Sequence, residues 1–398
     1  MRRDQAAIEK ALSRLDAQAQ RRQRALIEAY PLAGNGTRVR VAGRELRNFC
    51  SNDYLGLAQH PALVQAQCAA AREFGAGSGA AHLISGHSLV HQRLEAELAD
   101  FTGRERALLF STGYMANLGV LSALGERGEV LLEDRLNHAS LIDGASLSGA
   151  RLVRYAHADV QAAATRVREF PKTSLIASDG VFSMDGDLAP VRELAALAKQ
   201  QQAWLLIDDA HGLGVLGAHG GGVVELAGLG AAEVPLLIGT LGKAFGSFGA
   251  FVAGDAALID YLLQRARSYI YTTALPPAVA AASSAALALV RSEGWRRTRL
   301  AAHVARFRAG ALQLGFTLGA STTPIQPLLI GAASDAVALS AALRAAGFWV
   351  AAIRPPTVPA GSARLRVTLS AAHDESDIDA LLVALAELKP QASHGAGA

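Results

Sequence analysis

Between about residue 60 and residue 255 the chain alternates short apolar runs with longer helix-like stretches. The runs fall at 107–110, 130–132, 152–155, 175–177, 204–207, 236–238 and 249–252, bounded by glycine, acidic residues or serine. A strand apolar along its whole length is buried on both faces, and parallel strands need crossovers long enough to hold a helix. The pattern predicts an α/β domain: a mostly parallel central sheet with helices on both faces. After roughly residue 290 the order becomes helix (295–314), strand (325–330), helix (335–346), strand (350–353), strand (364–369), helix (375–388), a smaller α+β domain. Upstream, residues 4 to about 29 read as one polar-rich helix. It gives way at Tyr30-Pro31 and the turn-forming Gly34-Asn35-Gly36 to a β-like stretch at 38–41. Three units are expected: an N-terminal helix and arm (1–50), a large domain (51–288) and a small C-terminal domain (289–398).

With 398 residues, 51% apolar and 18% charged, the chain can bury a large core and does not have the balance of a disordered protein. A net charge of +3 without a concentrated basic stripe argues against nucleic acid as a partner. The densest basic run, Arg21-Arg22-Gln23-Arg24, has the ordinary reading of a solvated helix face. Cys50 and Cys68 cannot build a disulfide framework, and no Cys/His cluster has zinc spacing, so a reducing compartment and no metal are expected. The N-terminus lacks a signal-peptide core, and the alanine-rich stretch 278–290 is too short to span a bilayer. A cytoplasmic protein with no membrane partner is expected.

Four segments carry candidate chemistry. In "WLLIDDAHGLGVLG" an apolar strand ends at Asp208 and is followed by His211, where open α/β sheets bind ligands; the ordinary reading is a cap or turn residue. The same segment spells Gly212-Leu-Gly214-Val-Leu-Gly217, a dinucleotide fingerprint. In that motif the first glycine follows the strand directly and the third lies in a helix, whereas here Asp-Asp-Ala-His intervenes and "AHGGG" cannot open a stable helix. In "IGTLGKAFGSFGA", Lys243 lies among glycines that allow close backbone approach, as a Schiff-base lysine requires, with the Thr240 hydroxyl nearby. In "FSTGYMANLG", Ser111 to Tyr114 could cradle a phosphate at a helix N-terminus or simply cap that helix. In "EDRLNHASLIDG", His138 follows a strand and is either structural or faces a bound ring.

Taken in order, "SNDYLGL", "GSGAAHLISG", "LNHASLIDG", "GVFSMDGD", "IDDAHG", "TLGKAFG" and "RLRVTLSAAH" resemble the α-oxoamine synthase family of fold-type I pyridoxal 5'-phosphate (PLP) enzymes over nearly the whole chain. The block "AIRPPTVPAGSARLRVTLSAAH" is similar to the biotin-pathway branch of that family. The resemblance implies PLP as cofactor, L-alanine as amino donor, and a pimeloyl thioester on acyl carrier protein or coenzyme A as acyl donor. It also implies loss of CO2 and a homodimer with shared active sites.

Carried over by motif, the resemblance implies that Lys243 holds the cofactor, Asp208 pairs with its ring nitrogen, His211 bonds its ring oxygen and His138 stacks on it. Gly113, Tyr114, Ser183 and Thr240 would complete that site, with Thr273 or Thr272 reaching the neighbouring subunit's phosphate. Asn52, Arg354 and Thr357, with His138, would meet substrate, Arg354 by gripping the alanine carboxylate. Arg22 would meet the acyl donor, Arg21 and Arg24 being the alternatives. Asp179 departs from the pattern, since relatives often carry Glu there, which would shift a contact one layer behind the cofactor. Two other readings are a glycine C-acetyltransferase or another glycine- or serine-using synthase, and a non-catalytic scaffold subunit of the same fold.

Overall fold

The fold was obtained as a computed structural model that describes residues 4–17, 21, 24–31 and 36–389. A hairpin comes first, β1 (Arg38–Val41) and β2 (Arg44–Asn48). The seven apolar runs become β3 (Arg106–Phe110), β4 (Val130–Asp134), β5 (Arg151–Tyr155), β6 (Thr173–Asp179), β7 (Trp204–Asp208), β8 (Leu236–Thr240) and β9 (Ala250–Gly254). They form one seven-stranded sheet in the order β3-β9-β8-β7-β6-β4-β5. Strands β8, β7, β6, β4 and β5 are mutually parallel, and β9 runs antiparallel to both β8 and β3. The reversal has a local cause. Residues 241–249 are too few for a crossover helix, so β9 can only return beside β8.

Successive residues of these strands feed different cores, as the period-2 geometry of a strand demands. Leu206 packs in one buried cluster and Ile207 in the other, and Leu131 and Leu132 divide the same way. Both faces are therefore covered, as the continuous apolar runs require.

The C-terminal part is a second sheet, β10 (Thr317–Leu318), β11 (Ile325–Gly331), β13 (Ala351–Ile353) and β14 (Ala363–Thr368), in the order β10-β11-β14-β13 and antiparallel throughout. Helices Trp295–Gln313, Ala333–Ala345 and Glu375–Leu388 fall within two residues of the expected bounds. Between β11 and β13 the short strand β12 (Phe348–Trp349) leaves this sheet and pairs in parallel with β2, so the N-terminal arm is joined to the C-terminal part of the chain.

The expected single helix over 4–29 is corrected. The helix is Gln5–Ala17, and by residue 28 the backbone is pairing with β1: Glu28 N–H donates to Arg40 O at 2.8 Å and Arg40 N–H to Ala29 O at 2.9 Å. Ile27 packs against Val39, Val41 and Leu46, so burial on the hairpin outweighs the helical propensity of "RALIEA".

Candidate active site

The C-terminal ends of β6, β7 and β8 and the loops after β3 and β4 open on one cavity of about 190 Å³, at the edge where open α/β sheets place ligands. A more open groove of about 600 Å³ lies between helices Pro61–Phe74, Leu89–Thr102 and Pro277–Ser292, lined largely by alanine and leucine. Chemistry belongs to the smaller cavity, where an amine, two imidazoles and two carboxylates converge.

Lys243 Nζ lies 2.7 Å from His211 Nε2. Burial pushes its pKa down to about 8, with Asp208 and Asp179 pulling back toward the ammonium form. Burial, reinforced by Lys243, also holds His211 well below its usual range, so the ring is neutral. His211 Nδ1 contacts Tyr54 Oη at 2.6 Å, and Tyr54 donates to Asn52 Oδ1 at 3.2 Å.

Asp208 ends β7, 6% exposed. It accepts from Asn117 Nδ2 at 2.6 Å and from Ala210 N–H at 3.1 Å, and among the described residues no cation pairs with it. A buried carboxylate held only by neutral donors is suited to a cationic ligand group. Asp179 stands beside it in register at the end of β6 and accepts from His138 N–H at 3.1 Å. Burial, then the neighbouring Asp208, raises its pKa well above the carboxylate range. His138 caps helix Ala139–Ser148, its Nδ1 accepting from Ser140 N–H at 3.3 Å.

Across the cavity Thr112 caps helix Gly113–Leu124, its Oγ1 accepting from Met115 N–H at 3.2 Å. Gly113 and Tyr114 thus begin a helix whose positive end faces the cavity, a place suited to an anion. Thr240 Oγ1 donates to Gly249 O at 3.1 Å and accepts from Gly242 N–H at 3.2 Å. The loop after β3 thus caps its helix, and the first turn of that helix also lines the cavity.

Of the residues singled out in the sequence, Gly113, Tyr114, His138, Ser183, Asp208, His211, Thr240 and Lys243 line this one cavity. Asn52 joins them through Tyr54. Arg354 and Thr357 flank the cis Pro355-Pro356 bond, outside the cavity wall, with Thr357 exposed. Thr273 is exposed too and bridges Ala81. Arg22 lies outside the described residues. Residues 212–217 form turns rather than a helix start, and their glycines answer a packing need: a Cβ at Gly212 would collide with the Asp209 carboxylate, and one at Gly217 with that of Glu225.

The sequence reading missed Asn117, Ser140, Tyr54 and Arg366, and it set Asp179 one layer too far back, since that residue lines the cavity itself. Arg366 is the most telling. It sits on β14, 7% exposed, donating to Ser183 O at 2.7 Å, Thr368 Oγ1 at 3.0 Å and Asn52 Oδ1 at 3.2 Å. Its strand neighbour Arg364 pairs with Asp185, whereas no carboxylate pairs with Arg366 among the described residues. The signal was a pair of arginines two positions apart, Arg364 and Arg366, in the mostly apolar stretch "RLRVTL", where a charge is buried for a reason.

A buried lysine amine, a carboxylate without a paired cation and a helix N-terminus at the ends of parallel strands make a site of the PLP-transferase kind. The family model for aminotransferase class I and II matches residues 44–385, and the chain belongs to that family. Its particular relatives are 8-amino-7-oxononanoate synthases. The protein of that name from Methylococcus capsulatus is 60% identical over 382 residues, 96% of this chain and 98% of the relative. Among solved structures, a serine palmitoyltransferase from Sphingomonas wittichii superposes with a TM-score of 0.91 at 31% identity, covering 96% of both chains. An SPT structure with a PLP internal aldimine gives 0.90 at 30% identity, covering 97% of this chain and 98% of that one. No helix among the described residues is long and apolar enough to cross a membrane.

Proposed function

We propose that this protein condenses L-alanine with a pimeloyl thioester, with loss of CO2, to give 8-amino-7-oxononanoate for biotin synthesis. The observation that carries this reading is the 60% identity to an 8-amino-7-oxononanoate synthase along nearly the full length of both chains. The serine-using neighbours share half that identity, so a glycine or serine synthase is not favoured. A scaffold subunit would have no need of the assembled amine, imidazoles and carboxylates.

The cofactor is PLP, which when bound supplies an electron sink for charge developing at the amino acid's α-carbon. Lys243 would hold it, Asp208 would keep its ring nitrogen protonated, His138 would cover its face and His211 would meet its ring oxygen. Gly113, Tyr114, Ser183 and Thr240 would line it, the first two offering N–H groups to its phosphate. Once released, the Lys243 amine takes the α-proton and returns a proton after CO2 has left. Its lowered pKa places a useful fraction of neutral amine near neutral pH.

For the alanine carboxylate the geometry favours Arg366 with Asn52 over Arg354. A guanidinium can grip a carboxylate with two parallel hydrogen bonds, and Arg366 is buried with only neutral acceptors. Arg366→Lys should raise KM for alanine about 10- to 100-fold, the worth of a charged bidentate contact, while Arg354→Lys should stay within about threefold. Steady-state kinetics with alanine as the varied substrate checks this, and the reverse ranking would return the role to Arg354. Thr357 would meet substrate, and Arg22 would meet the acyl donor.

A homodimer accords with the exposed apolar residues Leu83, Ile84 and Tyr271 around the Ala81–Thr273 bridge, from which Thr273 would reach the second copy's phosphate. The free cysteines Cys50 and Cys68 suit the reducing cytoplasm. The defining experiment offers alanine, glycine and serine with pimeloyl thioesters of acyl carrier protein and coenzyme A and with acetyl-coenzyme A. Alanine with a pimeloyl donor should give the highest kcat/KM, the carrier-protein form exceeding the coenzyme A form; preference for glycine with the acetyl donor would overturn the assignment.

A further inference from the structure

A chain of hydrogen bonds runs from the cavity into the protein. It links Lys243 Nζ to His211 Nε2 at 2.7 Å, His211 Nδ1 to Tyr54 Oη at 2.6 Å, Tyr54 Oη to Asn52 Oδ1 at 3.2 Å, and that oxygen to an Arg366 N–H at 3.2 Å. Tyr54 is fully buried, and no role assigned above uses its hydroxyl.

Donor accounting gives this chain one polarity. Arg366 can only donate and Asn52 Oδ1 can only accept. The contact between Tyr54 Oη and Asn52 Oδ1 therefore uses the single phenol proton. His211 Nδ1 must then carry the ring proton and donate to Tyr54 Oη, since a neutral imidazole has one N–H. Its Nε2 faces Lys243 as a lone pair. The opposite arrangement, with Tyr54 donating to Nδ1, leaves the Tyr54 and Asn52 oxygens facing each other at 3.2 Å without a proton between them.

We propose that Tyr54 is a positioning residue: its hydroxyl fixes the ring proton of His211 on Nδ1, so that Nε2 is an acceptor aimed at the Lys243 amine. The inference rests on the reading of Lys243 as the reacting amine. An acceptor at Nε2 favours the ammonium form of Lys243 and offsets part of the burial that opposes it. The other groups acting on this pair are Asp208, Asp179, Asp209, Arg366 and His138, and Tyr54→Phe removes none of them. Without the hydroxyl, an N–H on Nδ1 would be a buried donor with no acceptor, worse than a buried bare nitrogen. The proton then moves to Nε2 and points at Lys243, which must accept it as a neutral amine.

The test uses the full-length protein freed of cofactor, its fold checked by circular dichroism. Trinitrobenzenesulfonate attacks only neutral amines, so peptide-resolved labelling of Lys243 against pH reads its proton directly. The midpoint should fall by about one pH unit in Tyr54→Phe relative to the parent protein; coincident curves would overturn the proposal. A second measurement needs no folded variant at residue 54. In 15N-histidine spectra of the parent protein, the His211 signal, identified by its loss in His211→Asn, should show a proton on Nδ1. A proton on Nε2 overturns the proposal. Failure of the underlying reading would instead appear as turnover retained by Lys243→Ala, which leaves the tautomer result standing.

Discussion

Lys243→Ala should abolish condensation, lowering turnover by at least about 10⁴-fold, because it removes both the attachment point for the cofactor and the base for the α-proton. The fold should survive. Lys243 is a buried amine whose charged form is disfavoured where it sits, so its removal relieves a desolvation cost. His211, its hydrogen-bond partner among the described residues, remains tied to Tyr54. A melting temperature at or above that of the parent, with product formation at background in a discontinuous assay, is the expected pair of results. Turnover within tenfold of the parent would remove Lys243 from the mechanism.

Asp208→Asn is the second large effect, about 10³-fold in kcat/KM, which corresponds to about 4 kcal/mol of transition-state stabilisation. The amide is nearly isosteric but carries no charge to keep a ring nitrogen protonated. It also cannot accept from both Asn117 Nδ2 and Ala210 N–H through separate oxygens as the carboxylate does. Loss of the Asp208 charge has a consequence next door. Asp179 is held above its usual pKa partly by that charge, so in the variant it should ionise at lower pH. A rate loss under tenfold, measured with saturating cofactor, would argue that the ring nitrogen is governed from elsewhere.

Much of this architecture was legible in the sequence because the information is local. Runs such as "WLLID" are apolar throughout only when both faces are buried, and their ends carry the polar residues that a sheet edge exposes to a ligand. Seven of seven runs became strands of the main sheet, and Asp208 and Thr240 stand at the ends of two of them. What was not legible is pairing across long separations. Residues 24–29 look helical on propensity, and only the hairpin that follows shows why they are not. Arg354 stood out through its Pro-Pro neighbours, whereas Arg366 acquires its meaning from Asn52 and Ser183, over 180 residues away in the nearer case, and periodicity cannot report such contacts. Tyr54 was hidden in a run of motif residues for the same reason.

The pairing of β12 with β2 also orders events in time. A ribosome releases the N-terminal arm long before Phe348 and Trp349 exist, so β2 waits with one edge unpaired while the whole large sheet is made. Phe49 bonds through its N–H to Trp349 O at 2.9 Å and through its O to Thr368 N–H at 2.8 Å, and Asn52 and Tyr54 follow directly. The wall that bears Lys243, Asp208 and His138 is thus encoded in the middle of the message. The wall that would receive the amino acid's carboxylate closes only when β14, the last strand of the nascent chain, returns to the segment that follows β2, and a protein cut short before β14 would lack it.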